Sequence, residues 1–374
     1  MRKQLRTKPT TIDRRMNSLM GISFAGAIRW MVWPVVAVGV SACATRPDAN
    51  SLTVGYEISE PYRKVTVITA TDRQRDLAGI GYTAKRSPRL QFERFTLAIP
   101  PAHKEPGKVQ LQMQANSMQT YPVAGREAIS GKDINITDDT LIYVHGYNYS
   151  FQESLFQIAG IVADGELREV PILFSWPSEG AVTGYIADRD AATYARDDLV
   201  ELLGHLKSQR SNANITLFGH SMGAWLVVEA LRQLKLSGHE DVLRRISQVV
   251  LAAPDIDIDL FKRQVETIGP LARPIIVLNS TDDRELAISR RIGGFRVRMG
   301  SVGEDNAAVQ EMIAKNAIRV IDLSMLPAPD RTNHSRFIKL AEILSRSGKR
   351  RKTLLESDLG DALEHVTFTK RMID

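Results

Sequence analysis

Asn214-Ile215-Thr216-Leu217-Phe218 runs straight into Gly219-His220-Ser221-Met222-Gly223, and Ala224-Trp225-Leu226-Val227-Val228-Glu229-Ala230-Leu231 follows. The first five residues read as a strand and the last eight as a buried helix, with a Gly-x-Ser-x-Gly turn between them. That order is the plan of a nucleophile elbow, in which a sharp strand-to-helix turn lifts a serine hydroxyl above a sheet. The glycines two positions either side remove Cβ atoms that would collide in so tight a turn. The helix N-terminus then leaves orphan N–H groups, that of Met222 among them, free to stabilise an oxyanion. A chance match in a loop would lack the flanking strand and helix.

Outward from the elbow, short β-rich runs alternate with helical patterns. Strands are predicted at 64–70, 92–99, 140–144, 170–174, 215–218, 248–251, 274–278 and 317–323. Helices are predicted at 151–163, 225–236 and 337–344, and Leu199, Leu202, Leu203 and Leu206 mark another by their i, i+3, i+4, i+7 spacing. Near-continuous apolar strands separated by helices predict an α/β fold, a mostly parallel central sheet with helices on both faces. The segments between elements are short, so no large lid domain is expected. Gly79-x-Gly81-x-x-Ala84 echoes a dinucleotide fingerprint, but its polar setting reads as a turn.

A serine near its free pKa is a poor nucleophile; it needs a base, and the base needs an orienting acid. Behind an elbow of this kind the chain order is serine, acid, histidine. His103, His145, His205 and His220 precede Ser221, His239 follows the elbow helix directly, and His365 sits in the tail. His334, in the loop after the last predicted strand, is the candidate base. For the acid, the strand at 274–278 runs into Asp282 and Asp283, at a sheet end where sites of this kind are built. Asp283 is preferred, with Asp255, after the strand at 248–251, and Asp282 as alternatives. The strand at 140–144 leads into His145-Gly146-Tyr147-Asn148, whose turn offers the Tyr147 N–H as a second oxyanion donor beside that of Met222. His145 reads as a residue that orients this loop. Trp176, at another strand end, reads either as pocket lining or as plain core.

The chain's formal net charge of +6 invites a nucleic-acid reading, but residues 1–42 hold seven basic residues against one acid, which accounts for all of it. The body is neutral, and no nucleic-acid partner is expected. The basic leader is followed by an apolar core and then Val40-Ser41-Ala42-Cys43, which resembles a bacterial lipobox. Cys43 is the only cysteine, so an intrachain disulfide is impossible and lipidation would give the thiol a purpose. The competing readings are an uncleaved inner-membrane signal anchor and a small buried cysteine. The predicted organisation is a leader at 1–42, a linker at 43–62, a catalytic domain at 63–347 and a polar basic tail at 348–374. Neither a phosphate-binding loop nor a Cys/His cluster is found, and no metal or organic cofactor is expected.

Thr71-Asp72-Arg73-Gln74-Arg75-Asp76, Ile99-Pro100-Pro101-Ala102-His103-Lys104, His145-Gly146-Tyr147-Asn148, Phe174-Ser175-Trp176-Pro177-Ser178, the elbow, Ala252-Ala253-Pro254-Asp255-Ile256-Asp257 and Asp283-Arg284-Glu285-Leu286 together resemble a bacterial α/β-hydrolase family known as esterase/lipase superfamily enzymes. The resemblance spans about 65–344, and the family's substrates are largely unassigned. It implies an α/β-hydrolase fold with Ser221 as nucleophile, Asp283 as acid and His334 as base. The family's histidine usually follows a glycine, whereas Asn333 precedes His334 here. The expectation is a serine hydrolase of carboxylesterase type acting on a small acyl-ester or lipid-like substrate, with acyl transfer as a variant. It would be held at the cell envelope by a lipid on Cys43. Ala44 after that cysteine is the pattern associated with sorting to the periplasmic face of the outer membrane. The alternative is a non-catalytic envelope protein that keeps the fold as a binding or assembly surface.

Overall fold

Runs of Val, Ile and Leu that are apolar on both faces form the centre of a nine-stranded sheet in the computed structural model, which describes residues 46–55, 62–100, 120–134, 138–207 and 213–339. The strands are β1 (Arg63–Arg75), β2 (Tyr82–Ile99), β3 (Val123–Ile129), β4 (Thr140–Val144), β5 (Val170–Ser175), β6 (Ile215–His220), β7 (Ile246–Ala252), β8 (Ile275–Asn279) and β9 (Ile318–Asp322). Their order is β3-β2-β1-β5-β4-β6-β7-β8-β9, and only β2 runs against the rest. Between them lie α1 (Phe151–Asp164), α2 (Tyr185–Tyr194), α3 (Arg196–Lys207), α4 (Met222–Leu236), α5 (Glu240–Leu243), α6 (Ile258–Ile268), α7 (Arg284–Ile292) and α8 (Ala307–Ala314).

The period-2 geometry of a strand sends successive side chains to opposite faces, and here both faces are dry. In β4, Leu141 and Tyr143 join the core that α1 covers with Phe151, Leu155 and Phe156. Ile142 and Val144 join the core covered by Leu199, Leu202, Leu203 and Leu206 of α3 and by Phe261 of α6. The fold is thus the α/β-hydrolase type the sequence predicts, and among the described residues no large lid is evident. All eight predicted strands are present, several of them longer than expected. Gly79, at φ +70, lies in the β1–β2 hairpin turn, where a side chain would be strained.

Two differences bear on the site. β3 goes unpredicted because its Val-Ala-Gly-Arg-Glu-Ala-Ile has half-exposed polar positions suited to a sheet edge. Within the predicted 43–62 linker, the chain is anchored to the body at two points: Leu52, in a short turn at Ala49–Leu52, is fully buried, and the Pro47 carbonyl accepts a hydrogen bond from Gln152 of α1 at 2.8 Å. Cys43, His103, His365 and the basic tail lie outside the described residues. Among the described residues no helix is long and apolar enough to cross a membrane.

Candidate active site

The elbow takes the shape its glycines predict. Ser221 sits at φ +52, ψ −117, between the end of β6 and the first residue of α4. A Cβ on Gly219 would lie 2.7 Å from Ala224 Cα, and one on Gly223 would lie 2.3 Å from the carbonyl oxygens of both Val144 and His145. Only glycine lets the turn close against the neighbouring strand. The strained serine is held by its own backbone: its N–H donates to Ala252 at 2.9 Å, and its carbonyl accepts from Ala224 at 3.0 Å. A conformation of this kind costs roughly 1–3 kcal/mol and persists only where the surroundings over-determine it. Gly146 passes so close that an added Cβ would stand 3.1 Å from Ser221 Cβ, which brings the loop after β4 over the serine. Among the described residues, the N–H groups of Tyr147 and Met222 have no hydrogen-bond acceptor.

Asp283 and His334 meet across 51 residues of sequence. Asp283 Oδ2 lies 2.7 Å from His334 Nδ1, both side chains being buried, while Oδ1 accepts the Leu286 N–H at 3.0 Å. One carboxylate therefore caps α7 and holds the imidazole. Asp330 shapes the histidine loop by accepting the N–H groups of Thr332, His334 and Ser335 at 2.9, 3.2 and 2.6 Å. Asn333 occupies the left-handed region at φ +63. That accounts for asparagine where the resembling family has glycine, since asparagine tolerates this conformation better than other side chains.

The two alternative acids are committed elsewhere. Asp255 is buried against Tyr185 (2.8 Å), Ser289 and the Arg298 guanidinium (3.2 Å). Asp282 pairs with Arg336 and accepts from the Asn333 amide at 2.9 Å. Trp176 is core: fully buried, it donates from its indole to the His145 carbonyl at 2.8 Å and stacks on the His145 ring at 4.9 Å. His145, in turn, bonds the Gly146 carbonyl at 2.7 Å and orients the loop as predicted.

Several charged residues that position these loops escape a motif search. Arg73, inside the Thr71–Asp76 motif, is 2% exposed and donates to Ser175 Oγ, the Ser178 carbonyl and the Tyr149 carbonyl at 3.1, 3.0 and 2.8 Å. Asp188 of α2 accepts from the N–H groups of Asn148 and Glu179 at 3.0 and 2.6 Å and from Ser178 Oγ. Arg46 forks onto Glu153, with 2.6 Å to each oxygen, and also reaches Asn148 and the Gly180 carbonyl. A buried charge fixed on several sides is costly to disturb, so these residues set the loops' shape.

The imidazoles divide by environment. Burial, and then the neighbouring Arg73 charge, push His145 down to about 3. Burial and the proximity of His334 hold His220 well below the ordinary histidine range. Burial works in the same direction on His334, but Glu285, Asp283 and Asp330 outweigh it and push the pKa up to about 10. Glu285 Oε2 stands 3.7 Å from His334 Nε2, the edge opposite Asp283. Among the described residues no cluster of His, Cys, Asp or Glu could hold a metal ion.

Residues 127–354 match the family described as "Alpha/beta hydrolase of unknown function (DUF900)", well over half of the chain. The chain belongs to this family. It is also similar to the uncharacterized protein alr1448 of Nostoc sp., 28% identical over a stretch covering 25% of this chain and 31% of that one. The chain thus matches about a third of that relative's length. Among solved structures it is similar to an esterase of the fungus Rhizomucor miehei, with 11% identity, coverage of 96% of this chain and 100% of that one, and a TM-score of 0.32. A second is EstE1, a thermophilic carboxylesterase from a metagenomic library, at 13% identity, 88% and 99% coverage and a TM-score of 0.29.

Proposed function

We propose that this member of the α/β-hydrolase family is a serine hydrolase of acyl esters, working through an acyl-enzyme. Ser221 is the nucleophile, His334 the base and Asp283 the residue that fixes the imidazole. The observation that carries the reading is the 2.7 Å Asp283–His334 contact, with the His334 ring 4.7 Å from that of His220, the residue before the strained elbow serine. Neutral His334 takes the hydroxyl proton as Ser221 Oγ attacks the carbonyl carbon. The oxyanion collects between the Tyr147 and Met222 N–H groups, which have no other acceptor to give up. The protonated imidazole then returns its proton to the departing alcohol, and water, activated the same way, releases the acid.

Among the described residues, Ser221 Oγ has no hydrogen-bond partner. Such contacts are commonly long without substrate and tighten in the complex. We further propose that the body is held at a cell envelope by a lipid on Cys43, with the neutral body consistent with a leader that is removed. A fluorophosphonate probe tests the chemistry: labelling of wild type that vanishes in Ser221→Ala supports it. Folded wild type that takes no label would leave only a binding role for the fold.

A further inference from the structure

The same sheet edge that carries Ser221 also carries an exposed apolar rim. On α7, Ile288 and Ile292 stand one turn apart and are 55% and 51% exposed; Phe295, just beyond the helix, is 69% exposed, and Ile186 of α2 is 63% exposed. α7 starts at the site, with its Glu285 3.7 Å from His334 Nε2, and a buried contact ties it to the oxyanion loop. The Tyr147 ring lies 5.5 Å from that of Tyr185, and Tyr185 reaches Ser289 of α7 at 2.9 Å. Isolated exposed apolar residues need no explanation, but four bulky ones around one mouth do.

Charge says what covers them. The body as a whole is neutral, yet Arg284, Arg290, Arg291 and Arg296 are exposed among these apolar residues, with Glu285 the single carboxylate in that stretch. Apolar side chains interleaved with arginines suit the headgroup boundary of an anionic bilayer, whose negative surface potential attracts each basic residue. The chain's course agrees. Arg46 is bonded to Asn148 and Gly180 beside the oxyanion loop. In sequence only Ala44 and Thr45 separate it from Cys43.

We infer that the mouth of the site docks on an anionic lipid bilayer through α7 and the Phe295 turn, so that its substrate is an ester drawn from the membrane. This rests on the hydrolase reading above for its substrate, but the docking is measured independently. The full-length chain is reconstituted in vesicles of brominated phosphatidylcholine with about 30% phosphatidylglycerol. The fluorescence that Phe295→Trp adds over wild type loses roughly half its intensity to the bromines. Ile292→Asp/Phe295→Asp lowers turnover of a long-chain ester embedded in the vesicles roughly tenfold, and that of a water-soluble short ester less than about twofold.

Unquenched fluorescence from Phe295→Trp overturns the inference, as does an equal response of both esters to the double variant. A double variant that halves the particle mass in detergent would assign the patch to a second copy of the chain and overturn it as well. If wild type cleaves neither ester while quenching persists, the hydrolase reading fails and the docking stands.

Discussion

Replacing Glu285 by Gln should make the enzyme more active at neutral pH, although it removes a charge beside the catalytic imidazole. The groups facing His334 are Asp283 and Glu285 from α7, Asp330 from its own loop and the His220 ring at 4.7 Å from the end of β6. Together they hold its pKa near 10 against the opposing effect of burial. A base must be neutral to take the serine proton, so at pH 7 only about one molecule in a thousand is poised. At 3.7 Å a pair of unit charges is worth about 1 kcal/mol in water and about 4 at an effective dielectric near 20. The Glu285 side chain is 40% exposed, which places its share near the lower value, about one pKa unit.

The assay is kcat/KM for a water-soluble ester from about pH 6 to about pH 11, with Ser221→Ala as the blank. Wild type should climb about tenfold per pH unit toward its limb. Glu285→Gln should move that limb down by about one unit, raising neutral activity up to about tenfold and leaving the alkaline plateau in place. The stability sign is opposite. A raised histidine pKa stabilises the fold fully below about 6.5, and that contribution fades as pH rises through about 10. The variant should therefore melt a few degrees lower at neutral pH and equally at high pH. A limb that stays put, or moves up, would refute the assignment of Glu285 as the residue that holds His334 protonated.

Asp283→Asn should lower kcat about 10³–10⁴-fold with a modest change in melting, as expected for an imidazole left in the wrong tautomer. Asp255→Asn should do the reverse, destabilising by about 3–5 kcal/mol because Arg298 loses its buried partner; thermal melts and ester kinetics on both variants separate the roles. Burial, and next Asp198, push the Asp72 carboxyl up to about 7. The folded state therefore keeps a proton the unfolded chain releases, and stability falls as pH rises from about 4 to about 7. Calorimetry should find Asp72→Asn more stable than wild type by roughly 1–3 kcal/mol above pH 7 and about equal at pH 4. Asn333→Gly should keep activity and stability within about 0.5 kcal/mol, whereas Asn333→Val should lose more than about 1–2 kcal/mol, since a β-branched residue resists φ +63; melting curves decide it.

What the sequence made legible was what repeats at short range. Continuous apolar runs marked the buried strands, because both faces of a parallel sheet are dry, and the elbow glycines announced the one turn where Cβ atoms would collide. An acid ahead of His334 was readable from chain order, and Asp283 was the preferred one, but chain order did not exclude Asp255 or Asp282. That exclusion depends on Arg336 and Arg298, which claim Asp282 and Asp255 from 54 and 43 residues away in sequence. β3 was hidden for a related reason: an edge strand needs no apolar run, and its Arg126 bonds Glu93 on β2 instead. α7 was hidden too, because its Arg-Glu-Leu-Ala-Ile-Ser-Arg-Arg-Ile buries only Leu286 and Ser289, leaving no apolar stripe toward the core, and its cap, Asp283, doubles as a candidate site residue.

The same long-range logic sets the oxyanion loop. No local motif fixes Asn148 and Tyr149; they are held from three directions, Tyr149 by Arg73 on β1 and Asn148 by Asp188 on α2 and by Arg46 ahead of the sheet. Asn148 sits at φ +63, in the left-handed region that asparagine tolerates. Each of the three clamps carries charge, and a charge loses much of its strength in water but little when buried. Water reaching Arg73 or Asp188 would loosen the loop before it disturbed the triad, whose Asp283–His334 contact rests on α7 and the Asp330 loop. The donors proposed for the oxyanion and the base proposed for Ser221 are thus anchored by separate sets of residues.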